Sequence, residues 1–247
     1  MHCFQEQGYP SDELLSVELR DDGLLRVTCP NGHDTITAIQ EQKYEILFDL
    51  AVMALLDGYP REAATGLAAS LERFYEFLIK TLCAKHGISD MALHASWRLV
   101  SNQSERQFGA FIFAYMLESS SVPPTIDDEK PTPVDGQDWK SRTWKEFRNA
   151  VVHKGYMPSS SEAFEYGQLV FNHIQVLTLW LSNNCADALM KTSVSHLAVA
   201  HAGAGGKAVG TMSIPTALST TRAGFSTRTF AQAVDELKKY KSALHHV

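Results

Sequence analysis

A mainly α fold, an antiparallel helical bundle with a small N-terminal β-hairpin, is predicted by three features of the sequence. From Tyr44 onward apolar residues recur at helical spacing. A Gly58-Tyr59-Pro60 break divides the first two such runs. Before residue 40 the pattern is instead the alternation of strands.

Residues 15–19 and 24–28 alternate on either side of Arg20-Asp21-Asp22-Gly23, and an Asp-Gly pair between alternating runs signals a hairpin. Pro30-Asn31-Gly32 reads as a turn after it. Tyr44, Leu47, Phe48, Ala51, Val52, Leu55 and Leu56 then mark one face of a helix. Gly58 stops it, and Pro60 is placed to open the next. That second helix carries Leu67, Leu71, Phe74, Leu78 and Leu82 and ends near Gly87. A short turn between long helices forces antiparallel packing. A third helix carries Phe108, Phe111, Ile112 and Tyr115. Residues 119–138, with four prolines and a run of acids, read as an exposed loop.

Helical character is expected again from Trp139 to about His153, with Gly155 as its stop. Ser159 with Glu162 three residues on is a capping box that opens a long apolar helix. After about residue 184 the chain turns rich in Ala, Gly, Ser and Thr and reads as a linker. It ends in a narrow stripe of Phe230, Val234, Leu237 and Leu244, suited to assembly or regulation. The expected divisions are a hairpin element over 1–42, a bundle over 43–190, and a linker with an assembly helix over 191–247.

Composition narrows the function classes. The 247 residues are 45 % hydrophobic and 20 % charged, which excludes a disordered chain or a fibre. A net charge of −6 argues against non-specific nucleic-acid binding through bulk charge, so any RNA or DNA contact is expected to be local. No apolar run approaches a membrane span, and the first residues lack the basic and apolar regions of a secretory signal. Cys3, Cys29, Cys83 and Cys185 form no C-x-x-C pair, as expected of reduced thiols in a cytoplasmic protein. Cys29 and His33, with His2 and Cys3 upstream, have the residue types for zinc but lack the usual spacing, and structural turn residues are the default. AGAGGKAVGTM has glycines and Lys207 but no strand and capped helix around them, so it is read as linker, not as a phosphate loop. No metal or cofactor is expected.

The segment WKEFRNAVVHKGYMPSSSEAF carries the chemistry. It holds Arg148, Asn149 and His153 as R-N-x-x-x-H at the end of one helix, with another long helix starting within ten residues. With this motif, the helix pair broken at DGYPREA and Glu72 within ASLERFYEFL, the chain resembles the HEPN (higher eukaryotes and prokaryotes nucleotide-binding) family over about residues 43–190. The resemblance implies a metal-independent endoribonuclease, a toxin or effector of bacterial antiviral defence with an antitoxin or sensor protein as partner. It also implies a homodimer or larger oligomer in which two motifs line one cleft.

The residue types suit that role. Imidazole carries protons near neutral pH, and guanidinium holds two phosphate oxygens while staying charged. Arg148 is expected to bind the scissile phosphate, His153 to act as acid or base, and Asn149 to orient the imidazole or touch the phosphate. Glu72 and Ser70 are candidates for the same cleft. Five residues of helix turn about 500°, so Arg148 and His153 do not share a face, whereas Asn149 and His153 do. Lys145, Lys154 and Arg142 are candidate RNA contacts in a basic strip that also holds Lys140. Tyr156 follows as H-x-x-Y, one residue longer than the H-x-Y of family members whose tyrosine is modified, so it reads as a packed side chain. The competing reading is a catalytically silent helical module that dimerises and binds a nucleotide or partner protein.

Overall fold

A computed structural model of the chain describes residues 6, 8, 15–130, 143–220 and 224–244. It is mainly helical with a small three-stranded sheet. Its elements fall into two compact units, residues 42–192 with 215–247, and residues 1–41 with 193–214. Among the described residues, no helix is long and apolar enough to cross a membrane.

The larger unit is built on α1 (Lys43–Leu56) and α2 (Pro60–Lys85), joined by a three-residue turn with Gly58 at φ 80°. Only glycine takes that conformation without strain. Gly66 lets the two helices approach closely, since a Cβ there would lie 2.9 Å from Ala51 Cβ. α2 also packs against α4 (Ser104–Ser119), α5 (Trp144–Lys154) and α6 (Ser160–Asn184). Aromatic rings fill the space between them: Tyr75 stacks on Phe111 at 4.3 Å, and Tyr166 packs on Trp144 and Phe147 at 5.5 and 5.4 Å.

α6 opens as expected, with Ser159 Oγ accepting from Glu162 N at 3.2 Å and the Glu162 carboxylate accepting from Ser159 N at 2.7 Å. α5 ends as expected, at Gly155 with φ 70°, where Tyr156 N donates to Ala150 O at 3.0 Å. Its start differs. Thr143 is extended and caps α5 through Glu146, so the helix begins at Trp144; residues 139–142, including Lys140 and Arg142, lie outside the described residues. α3 (Asp90–Val100) was not anticipated, because it buries no residue and so leaves no core stripe to read.

The C-terminal expectations need correction. Residues 186–203 form a helix, α7 (Ala186–Gly203), and the chain passes from one unit to the other within it. α8 (Phe230–Leu244) belongs to the bundle, with Phe230, Ala233 and Leu237 almost fully buried. The Phe230 ring sits over Gly167, where a Cβ would lie 2.6 Å from it, and packs between Phe48, Phe164 and Phe171. Lys241 pairs with Asp57 at the end of α1. A narrow stripe sufficed because α8 covers one groove of its own chain.

In the smaller unit β1 (Leu24–Thr28) pairs antiparallel with β2 (Asp34–Ile39), in a register setting Leu24 opposite Ala38. β3 (Val209–Met212) adds to β2 in parallel. The hairpin therefore turns at Pro30-Asn31-Gly32, not at Asp22-Gly23, and Leu15 and Leu19 are exposed. The Asp-Gly pair does form a turn, with Gly23 N donating to Arg20 O at 3.1 Å and Asp22 Oδ1 accepting from Leu24 N at 3.0 Å. The better-patterned partner is the β-branched run 35–39, whose Ile36 and Ala38 face Leu24, Leu197 and Ala200. The glycine stretch read as linker is a turn, with Gly205 and Gly206 at positive φ, leading into β3.

Candidate functional site

The helix α5 is oriented by what it buries. Trp144, Phe147, Ala150 and Val151 point into the core, which turns Arg148 and Val152 outward toward α2 and the joint between α3 and α4. There a cleft of about 310 Å³ is lined by Glu72 and Arg73 of α2, Ser101 and Asn102 of the α3–α4 turn, Ser104 and Gln107 of α4, and Arg148, Val152 and His153 of α5. Arg148 and His153 therefore reach one cleft in spite of their angular offset on the helix. A long arginine side chain and a position in the last helical turn bridge the difference.

Asn149 Oδ1 accepts from Arg148 Nε at 3.3 Å and Nη2 at 3.1 Å, so of its two expected partners, imidazole and phosphate, the side chain is placed against the phosphate-binding candidate Arg148 and not against the imidazole. Glu72 is half-buried beside the motif. Burial raises its pKa, and the positive charges of Arg148, Arg73 and His153 partly offset that rise. His153, at the mouth, is exposed. Lys145 and Lys154 are exposed on the same helix without lining the cleft, and Arg142 lies outside the described residues. Ser70 is placed elsewhere, fully buried with its hydroxyl donating to Tyr44 O at 2.7 Å. The Tyr156 hydroxyl donates to Glu162 Oε1 at 3.0 Å, a packed position as read.

Three contributors were not found from sequence. Asp127 lies on a segment whose carbonyls accept the first N–H groups of α5: Asp127 O from Lys145 N at 3.1 Å and Glu129 O from Trp144 N at 2.9 Å. Burial raises its carboxyl pKa, and Arg148 and Lys145 pull it back down. Glu105 is held below the usual carboxylate range, first by its own backbone N–H, with Arg148 and His153 adding to the effect. Arg73 shares the Glu76 carboxylate with Lys80 and donates to Gln107 Oε1 at 2.6 Å. Arg148 is the cation that acts on Glu72, Glu105 and Asp127 alike. Only the Arg73-x-x-Glu76 spacing was visible in the sequence; the other contacts span distant segments.

Away from the cleft, Cys29 Sγ and His33 Nδ1 lie 3.5 Å apart across the hairpin turn. Among the described residues no group of three His, Cys, Asp or Glu side chains is arranged to hold a metal, and His2 and Cys3 lie outside them. Compared with protein-family models, curated proteins and solved structures, the chain matches none.

Proposed function

We propose that the chain is a HEPN-type, metal-independent endoribonuclease that cleaves RNA through Arg148 and His153. The observation that carries this reading is their convergence with Glu72 on one cleft. In the proposed reaction the RNA 2′-oxygen attacks the adjacent phosphorus and the bond to the 5′-oxygen breaks. One proton leaves the 2′-hydroxyl and one reaches the departing oxygen, giving a 2′,3′-cyclic phosphate and a 5′-hydroxyl. Arg148 offsets the charge on the non-bridging oxygens, and its tether to Asn149 supports a fixed geometry. His153 carries one of the protons. Two protomers pair across the exposed His153 in this proposal, so that a second copy carries the other. The setting, a cytoplasmic toxin or effector of antiviral defence with an antitoxin or sensor partner, rests on the family resemblance.

The test is incubation of purified protein with total RNA in EDTA, wild type beside Arg148→Ala and His153→Ala. Cleavage by wild type alone supports the reading. Equal cleavage by wild type and His153→Ala, or none by any, overturns it.

A further inference from the structure

One part of the cleft lining is the α3–α4 turn with Ser101 and Asn102, and side-chain hydrogen bonds from α4 hold its backbone. Gln107, only 4 % exposed, commits both ends of its amide to holding it. Its Nε2 donates to Ser101 O at 2.7 Å, and its Oε1 accepts from Arg73 Nη2 at 2.6 Å. Arg106 Nη1 adds a hydrogen bond to Leu99 O at 3.3 Å from the other side. With the backbone of the turn tied to α2 and α4, the side chains of Ser101 and Asn102 are left on the cleft. Asn102 is exposed there, and among the described residues its amide makes no hydrogen bond.

A side-chain amide presents a donor and an acceptor side by side, the arrangement that pairs with a base edge. The cleft has room for about one unstacked nucleotide, the form in which RNA sequence is usually read. Val152 supplies the apolar surface beside it. The lining residues of the turn itself, Ser101 and Asn102, are uncharged hydrogen-bonding side chains, which suit a base edge better than a second phosphate.

We propose that the α3–α4 turn reads the base next to the scissile phosphate and that Asn102 sets the base preference. This rests on the ribonuclease reading above. The experiment maps cut sites on a randomised single-stranded RNA pool for wild type, Asn102→Ala and His153→Ala, each checked for folding by circular dichroism. Wild type is expected to favour one base at one position beside the cut by about tenfold. Asn102→Ala is expected to flatten that preference to within about threefold while still cleaving the pool. Cleavage that requires His153 but has the same base profile in wild type and Asn102→Ala overturns the proposal and leaves the ribonuclease reading standing. Cleavage that is absent or independent of His153 overturns both.

Discussion

Arg148 is tethered by its own neighbour: Asn149 Oδ1 accepts two hydrogen bonds from the guanidinium, at 3.3 and 3.1 Å. The tether holds the guanidinium that lines the cleft beside His153 and Glu72. Asn149→Ala is therefore expected to slow RNA cleavage about tenfold, the order expected for a charged hydrogen bond. The pH profile of cleavage should not move, since the imidazole is untouched. Asn149→Gln, which keeps an uncharged amide acceptor, should recover part of the loss. Steady-state cleavage against pH for the three proteins checks this.

Glu72 holds its proton more tightly in the folded chain than in the unfolded one, because burial outweighs the nearby cations. Its favourable contribution is complete below about pH 4.5, the ordinary glutamate value, and is lost as pH rises through the raised folded value. Above the raised folded value the ionised carboxylate therefore destabilises the fold. Glu72→Gln is expected to melt higher than wild type at pH 7, with the gap closing below pH 4.5, and to cleave RNA more slowly. A substitution that stabilises while slowing the reaction marks a functional position. Thermal melts at both pH values, with cleavage rates, check it.

His173 is buried in α6 against Tyr75, whose hydroxyl shares a 3.0 Å hydrogen bond with its Nε2. Burial lowers its pKa from 6.5 to about 4. The unfolded chain takes up the proton first as pH falls, so stability is full above about pH 6.5 and lost on the way to pH 4. At 1.36 kcal/mol per unit the loss is on the order of 3 kcal/mol. His173→Gln keeps an acceptor for Tyr75 and cannot titrate, so its stability should fall less over that range. Urea melts between pH 7 and 4 provide the comparison.

Phe230 on α8 and Gly167 on α6 fit as a ring over a bare backbone, 2.6 Å from where a Cβ would stand. Gly167→Ala should destabilise the bundle by about 1–3 kcal/mol through overpacking. Phe230→Ala should cost about 3–5 kcal/mol. In the double variant the clash is gone, so the two losses should sum to less than their separate values. Deleting residues 226–247 should broaden the melt, because Phe48 and Phe171 lose their cover.

The periodic helices could be read from sequence because their faces are continuous: α1, α2 and α6 repeat large apolar residues every three or four positions. The capping box at Ser159 and the stop at Gly155 were also legible, since each depends on a few adjacent residues. The rest depends on contacts distant in sequence. Composition alone makes residues 186–212 resemble a linker, yet β3 exists because β2 offers it an edge. α8 has a stripe too narrow to reveal that Phe230 enters a hole made by Gly167, 63 positions earlier. In the cleft, Arg148, His153 and Glu72 were visible as residue types. Gln107 and Asn102 were not, because nothing local marks a buried strut or a free amide.

In the proposed reaction the RNA's own 2′-hydroxyl attacks while His153 moves a proton. The most direct measurement uses a short RNA that wild type cuts at one position, beside the same strand with a single 2′-deoxy nucleotide at the attacking position, both in EDTA. A 2′,3′-cyclic phosphate end is expected on the all-ribose strand, with no cut at that position on the deoxy strand and no cut of either by His153→Ala. Cleavage of the deoxy strand at that position, or cleavage by His153→Ala at the wild-type rate, would contradict it.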